Sequence, residues 1–499
     1  MRNRLLLFAV LLCGSASFAQ VSNYKTVGRN NVTQRDIVAF VHQFDGEIKK
    51  ATIDTTSNTA LITISDDPQA KREVCYDLVS QKKIWSKKLN NQETIVKFGD
   101  YFIYASPRTL WKQEKTYRLD GKSGEKKFMI GKGLDYKYVD IEEGFIICSQ
   151  QPSDESRKIA LQKISLETNE TLWERQVNVA FDCEFGEKAN DSTLLFIASG
   201  IHSLNVDDGT GWSFEAVTER LETYYDFPYK YSYLMKCRSN VLVDSVSVTM
   251  ASVDAITKLD LEGNVVWSSE LPWEETSTSR LIKNNDYIVM INNGFSLSDS
   301  KIWTVGRPFF AVCDSKTGKM YCRRTHYQNA DYFFDARFCD DTLFIISSDE
   351  NNRFNLEKYR LPDGQFMGKK TFDAVSVEQM GGFICFLGDK MFVKEDSAFV
   401  PLINADSNSI YICTKEGLLK FNRKLTVSGN VNYKDCYELL QEHNGVRYFG
   451  HQGKIVAVAS DDTELATFDF DRMYLSEKKI YSIDNNLLYE IDLEQVVSR

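Results

Sequence analysis

Short apolar runs separated by polar turns recur from one end of the chain to the other. Tyr101–Tyr104, Gly144–Cys148, Leu194–Ile197, Tyr287–Ile291, Leu343–Ile346 and Gly382–Phe386 are each four or five residues long and rich in aromatic and β-branched side chains. Runs this short, bounded by turn residues, predict β-strands. Their unbroken apolarity predicts strands buried on both faces. The three-and-four spacing of an amphipathic helix is almost absent. Around Phe214–Tyr225 a short helix and an inserted loop are both compatible with the pattern.

Each run leads into a second pattern, a strand, a polar turn and a short strand ending in a large aromatic. The copies are Val74-Cys-Tyr-Asp-Leu-Val-Ser-Gln-Lys-Lys-Ile-Trp85, Tyr117-Arg-Leu-Asp-Gly-Lys-Ser-Gly124-Glu-Lys-Lys-Phe128 and Gln162-Lys-Ile-Ser-Leu-Glu-Thr-Asn169-Glu-Thr-Leu-Trp173. Thr257-Lys-Leu-Asp-Leu-Glu-Gly263-Asn-Val-Val-Trp267, Phe310-Ala-Val-Cys-Asp-Ser-Lys-Thr-Gly318-Lys-Met-Tyr321 and Glu357-Lys-Tyr-Arg-Leu-Pro-Asp-Gly364-Gln-Phe366 continue the series. Weaker copies end near Trp212, Phe421 and Phe468. The aromatic endpoints lie 43, 45, 39, 55, 54, 45, 55 and 47 residues apart. A period of this size with several strands per unit predicts propeller blades. A lone four-stranded sheet cannot bury both faces, whereas sheets stacked around an axis bury each other. Gly, Asn and Asp supply the left-handed conformations of tight hairpins. The terminal aromatics, Trp85, Trp173 and Trp267 above all, are read as plugs between blades.

The expected fold is therefore all-β, a single β-propeller of eight four-stranded antiparallel blades, with seven as the alternative. Nine candidate turns for eight blades leave one surplus. The C-terminal Leu488–Leu493 is expected to close the ring against an N-terminal strand such as Ala39–Phe44. Only eight prolines occur and no Gly/Ser-rich linker divides the chain, so residues 20–499 are read as one domain.

The first residues follow another plan. Met1-Arg2-Asn3-Arg4 is cationic, Leu5–Leu12 is apolar throughout, and small and polar residues lead to Ser17-Phe18-Ala19. This order predicts a secretory signal peptide over residues 1–19, cut after Ala19. Eight apolar residues are too few for a bilayer core, which needs about 20. Leu12 before Cys13 is larger than the residue lipoprotein signals carry there, which disfavours lipidation. The expected location is periplasmic or secreted, with no transmembrane segment, and a monomer is expected.

Charge and chemistry narrow the function by exclusion. The net charge is −10, and loss of Arg2 and Arg4 with the leader makes it −12. An acidic chain without basic runs argues against nucleic-acid binding and against docking on anionic lipid. Ten cysteines follow the leader, many inside apolar runs, where they read as small buried hydrophobes with at most one bridge. Cys313 and Cys322 flank one hairpin in diagonal positions, too far apart for a comfortable disulfide. No Cys-x-x-Cys, His-x-His, His-Glu-x-x-His, Gly-x-Ser-x-Gly or phosphate loop occurs. No catalytic residue, metal ligand or cofactor-binding residue is assigned, and no cofactor is expected. The five histidines are scattered; His443 and His451 bracket a strand or hairpin.

The unit Leu-Asp-x-x-x-Gly-Glu/Lys-x-x-Trp, best carried by Leu119-Asp120…Gly124-Glu125 and Leu259-Asp260…Gly263…Trp267, resembles the repeat of PQQ-like, quinoprotein-dehydrogenase-like β-propellers. The resemblance covers most of residues 70–370 and thins toward the end. It implies architecture, often eight-bladed, more than function. Family enzymes hold a quinone and calcium, and several carry a vicinal Cys-Cys pair that this chain lacks. Other members are protein-binding scaffolds. The leader's Ser-Phe-Ala-Gln ending resembles exported proteins of the Bacteroidetes. Asp54-Thr55-Thr56, Asp191-Ser192-Thr193, Asp244-Ser245-Val246, Asp341-Thr342-Leu343 and Asp396-Ser397-Ala398 resemble that phylum's O-glycosylation tripeptides. The expected function is that of a non-enzymatic binding or scaffold protein of the cell envelope, its partner an envelope protein or a glycan. A PQQ-dependent dehydrogenase and a glycan- or small-molecule-binding protein are the alternatives.

One segment is a candidate binding loop. Tyr224-Tyr225-Asp226-Phe227-Pro228-Tyr229-Lys230-Tyr231-Ser232-Tyr233 places six aromatics in ten residues. A blade strand and a rim loop both accommodate it. Replacing Tyr224, Tyr225, Phe227 and Tyr229 by Ser is expected to abolish partner capture at an unchanged melting temperature; a large fall in melting temperature would mark them as core.

Overall fold

The computed structural model describes residues 23–497, apart from 68–69, 107–114, 133, 151–157, 179–182, 199, 216–238, 253, 273–275, 277–278, 285, 299–300, 305–306, 326–332, 349–353, 373–384, 388–389, 393–402, 406–408, 415–416, 423, 425–437, 452 and 471. The leader and the candidate loop Tyr224, Tyr225, Phe227 and Tyr229 lie outside the described residues. Within them the chain is almost wholly antiparallel β-sheet, and the one helix is the single turn Glu494–Val497. No helix among the described residues is long and apolar enough to cross a membrane.

Seven four-stranded sheets follow one another over residues 47–90, 94–132, 134–178, 184–215, 242–270, 279–325 and 333–372. Each is a meander of neighbouring strands; the sixth carries an extra hairpin, Phe295–Ser298 with Lys301–Thr304, between its second and third strands. An eighth sheet has nine strands and joins the two ends of the chain. In it Asp36–Gln43 lies beside Leu487–Asp492, with Phe40 opposite Glu490 and Val41 opposite Tyr489. Tyr24–Asn30 lies between Asp36–Gln43 and Glu464–Phe468. The C-terminal strand thus closes the propeller on the N-terminal strand that the sequence singles out.

Eight of the nine aromatic-ended turns join the third and fourth strands of a four-strand unit. The ninth, at Phe421, lies in Gly417–Asn422, the third strand of a sheet of which three strands are described. The closing unit has no such turn, because its fourth strand comes from the other end of the chain. The eighth sheet therefore holds two four-strand units, stitched edge to edge by Tyr24–Asn30.

The core lies between sheets. Second strands such as Phe145–Gln150 and Ser247–Ala251 are buried on both faces, as their unbroken apolarity requires. At four seams the packing takes one form. Trp85, Trp173 and Trp267, each on a fourth strand, and Trp212, immediately before one, lie under Gly124, Gly209, Gly263 and Gly318 in the next sheet's turn; a Cβ on any of these glycines would fall 2.5–2.7 Å from an indole carbon. Each indole Nε1–H donates to a carbonyl of that same turn, from Trp85 to Gly121 at 2.9 Å, Trp173 to Val206 at 2.8 Å, Trp212 to Leu261 at 2.7 Å and Trp267 to Ser315 at 3.3 Å. The turn is shaped by an aspartate in several sheets. Asp314 accepts the backbone N–H of Lys316 and Thr317, which holds its carboxyl down at about 2.

Two endpoint aromatics depart from the expected plug role. Tyr321 is 40% and Phe366 52% exposed, and beneath Gly364 it is the sulfur of Cys322 that takes the indole's place. Cys322 lies opposite Val312 and Cys313 opposite Met320, so the two do not face each other; both are thiols, as are Cys75 and Cys148. Burial pushes Cys148 and Cys313 up to about 12, which keeps them protonated.

The Trp–Gly contact yields a stability test. Gly318→Ala is expected to cost about 2–4 kcal/mol, because a positive φ and a clash with Trp267 act together. Gly445→Ala is the control, having φ +74° and no neighbour within 4 Å, and is expected to cost about 1–2 kcal/mol. Denaturant midpoints measure both; equal losses would assign the cost to backbone strain alone.

Candidate binding cleft at the ring-closing seam

The closing seam is built differently from the others. A locking tryptophan stands opposite the third-strand residue two places before the turn's first polar residue. Trp85 faces Cys75 before Asp77, Trp173 faces Lys163 before Ser165, and Trp267 faces Lys258 before Asp260. In the closing unit the same register, Glu490 before Asp492, brings up Phe40. The turn across the seam is that of the first sheet. There Gln81, at φ +56°, holds the place that Gly124 and Gly318 hold after Asp120 and Asp314. With a smaller ring on one side and a side chain on the other, the two surfaces do not mesh. A cleft of about 360 Å³ opens between them.

Tyr24 and Phe40 form the aromatic wall, edge to face with centroids 5.4 Å apart. Asn58, Leu78, Val79 and Gln81 form the opposite wall. Lys479, Tyr481, Glu490 and Asp492 line the base, alternate residues of two paired strands sharing one face. Gln495 fixes the N-terminal strand: its Oε1 accepts the Val38 N–H at 2.9 Å and its Nε2 donates to the Val38 carbonyl at 2.9 Å. The Asn30 Nδ2 donates to the Gln495 carbonyl at 2.8 Å. The cleft thus exists only once both chain ends are in place.

Its charges are ordered from beneath. His42, buried on Asp36–Gln43, sets Nε2 3.2 Å from Glu490 Oε2 and Nδ1 3.3 Å from the Tyr76 hydroxyl. Lys479 donates to the other oxygen of Glu490. Burial pushes the Glu490 carboxyl up, but the bonds from His42 and Lys479 outweigh it and hold the group below its usual range. Burial, reinforced by the charges of Glu490 and Asp492, pushes the Tyr481 phenol up, so it stays neutral. Among the described residues no three His, Cys, Asp or Glu side chains converge so as to hold a metal ion.

The cleft residues went unnoticed in sequence because each is ordinary alone. The signal that could have found them is comparative within the chain, Gln81 where the other turns have Gly and Phe40 where the other fourth strands have Trp. Of the histidines, His443 does lie in a hairpin, Glu438–His443 with Val446–His451, and His202 is buried on Gly200–Asn205.

Glu490 has a testable pH signature. Its folded pKa lies below its ordinary 4.5, so the stability it adds is complete above that pH and is lost as pH falls through the lower folded value. Glu490→Gln is expected to cost about 1.5–3 kcal/mol near neutral pH and to remove this part of the acid limb. A stability difference from wild type that did not shrink toward low pH would contradict the assignment.

No family model matches the chain, and no curated protein matches it. Among solved structures it is similar to BamB from Moraxella catarrhalis, with 12% identity and a TM-score of 0.36 over 76% of this chain and 95% of that one. It is also similar to Hsv2 of Kluyveromyces lactis, with 12% identity and a TM-score of 0.28 over 65% of this chain and 99% of that one. The Neurospora crassa Pan2 WD40 domain is matched at 10% identity and a TM-score of 0.32, over 69% of this chain and 98% of that domain.

Proposed function

We propose that the chain is an exported, non-enzymatic binding protein of the cell envelope, one propeller domain over residues 20–499 behind a leader at residues 1–19. In this reading it captures a protein partner through its ring-closing seam. The supporting observation is the open cleft itself, since the corresponding place at four other seams is filled by an indole. A site on paired strands is rigid before the partner arrives, so little ordering entropy is lost on binding. Its mixture of aromatic rings with a few converging polar groups is the composition of a recognition site. The loop carrying Tyr224, Tyr225, Phe227 and Tyr229 is proposed as a further contact on the same scaffold.

The test is a cross-linking pull-down from the native envelope with the tagged mature protein and with Val79→Trp. Val79 lines the cleft and is 72% exposed, so the larger ring can block the cleft without disturbing the core. Wild type is expected to enrich one envelope protein, and Val79→Trp to lose it at an unchanged melting temperature. Equal capture by both would remove the seam from the binding face.

A further inference from the structure

We infer that the seam cleft recognises a cation, an alkylammonium or guanidinium group of the kind a lysine or arginine side chain carries. This rests on the reading of the seam as a binding face and gives that face its chemistry.

Four observations lead to it. The first is charge. Lys479 is committed to Glu490, and Asp492, exposed at the cleft, has no ion pair among the described residues, so the lining carries one carboxylate in excess. The second is a hydroxyl that faces the cleft. The Tyr481 side chain is only 3% exposed and lines the cleft, and among the described residues its hydroxyl has no hydrogen-bond partner. A neutral phenol between two carboxylates is an acceptor in a negative field, and N–H donors on a cation satisfy both features at once. The third is the wall of Tyr24 and Phe40, whose rings attract a cation that has left water. The same chemistry occurs inside this molecule: the Lys126 ammonium lies 4.3 Å from the Tyr104 centroid and 4.2 Å from that of Tyr117, and the Arg118 guanidinium 4.6 Å from that of Tyr101.

The fourth is what other ligands would meet. An anion would face Asp492 and Glu490 in a chain of net charge −10. A neutral apolar group would cover Asp492 and the Tyr481 hydroxyl without replacing the water they lose, which costs free energy. An indole like those at the other seams is excluded from the same pose, because Gln81 has the Cβ that the glycines lack.

The experiment is isothermal titration of the full mature chain with N-acetyl-arginine amide, N-acetyl-lysine amide and the neutral isostere N-acetyl-citrulline amide. Both cations are expected to bind and citrulline about tenfold more weakly or not at all. Asp492→Asn is expected to weaken arginine binding about tenfold and Tyr481→Phe about threefold. Asp492 is exposed, so its variant keeps the fold, and melting temperatures check both. The source is identified by adding acetyl-arginine amide to the pull-down. Release of the captured protein assigns the cation to a side chain of the partner, and binding without release assigns it to a free amine. Citrulline binding as well as arginine, indifference to Asp492→Asn, or no binding of either cation overturns the inference. In that event, capture that is still lost in Val79→Trp leaves the seam as the binding face and removes only its chemistry.

Discussion

An indole lying flat under a glycine of the next sheet is the contact on which the rest of the structure depends. Each sheet alone is an exposed meander with two apolar faces. The Trp–Gly contact removes a large ring from water and spends its one N–H on a turn carbonyl of the next sheet. It also fixes where the next sheet sits, since the ring touches backbone and little can slide. At four seams these demands meet in a single pair of residues, and the contact requires a glycine for reasons of space as well as of φ.

The closing seam is made by strands more than 440 residues apart, and it uses other means. Hydrogen bonds of paired strands, the Gln495 clamp on Val38 and a His42–Glu490–Lys479 group anchored by the buried His42 hold the N-terminal strands in place. These interactions tolerate an imperfect fit between faces, whereas an indole under a glycine does not. The open cleft follows from that difference: closure is achieved by edge pairing, and the outer part of the face is left for something else.

Much of the fold was legible in the sequence. Five of the six apolar runs became second strands, Gly382–Phe386 lying mostly outside the described residues, eight of the nine aromatic-ended turns became third-to-fourth hairpins, and Leu488–Leu493 met the N-terminal strand. The closing unit escaped a count by turns because its hairpin does not exist in sequence. Tyr321 and Phe366 misled because the side chain that faces the neighbouring sheet depends on strand register, and one position of slip exchanges inside for outside. The cleft was hidden for a different reason. Its lining comes from residues 24 to 81 and 479 to 495, and only the register that pairs Phe40 with Glu490 brings them together.

The decisive measurement converts the open seam into a locked one. A double-mutant cycle of Phe40→Trp and Gln81→Gly, followed by denaturant midpoint and by binding of acetyl-arginine amide, reads both consequences. If the cleft is a seam without its lock, the two substitutions couple favourably, the double variant is more stable than the sum of the singles implies, and cation binding disappears. If they are merely additive, or binding survives in the double variant, the missing Trp–Gly contact is not what makes the cleft.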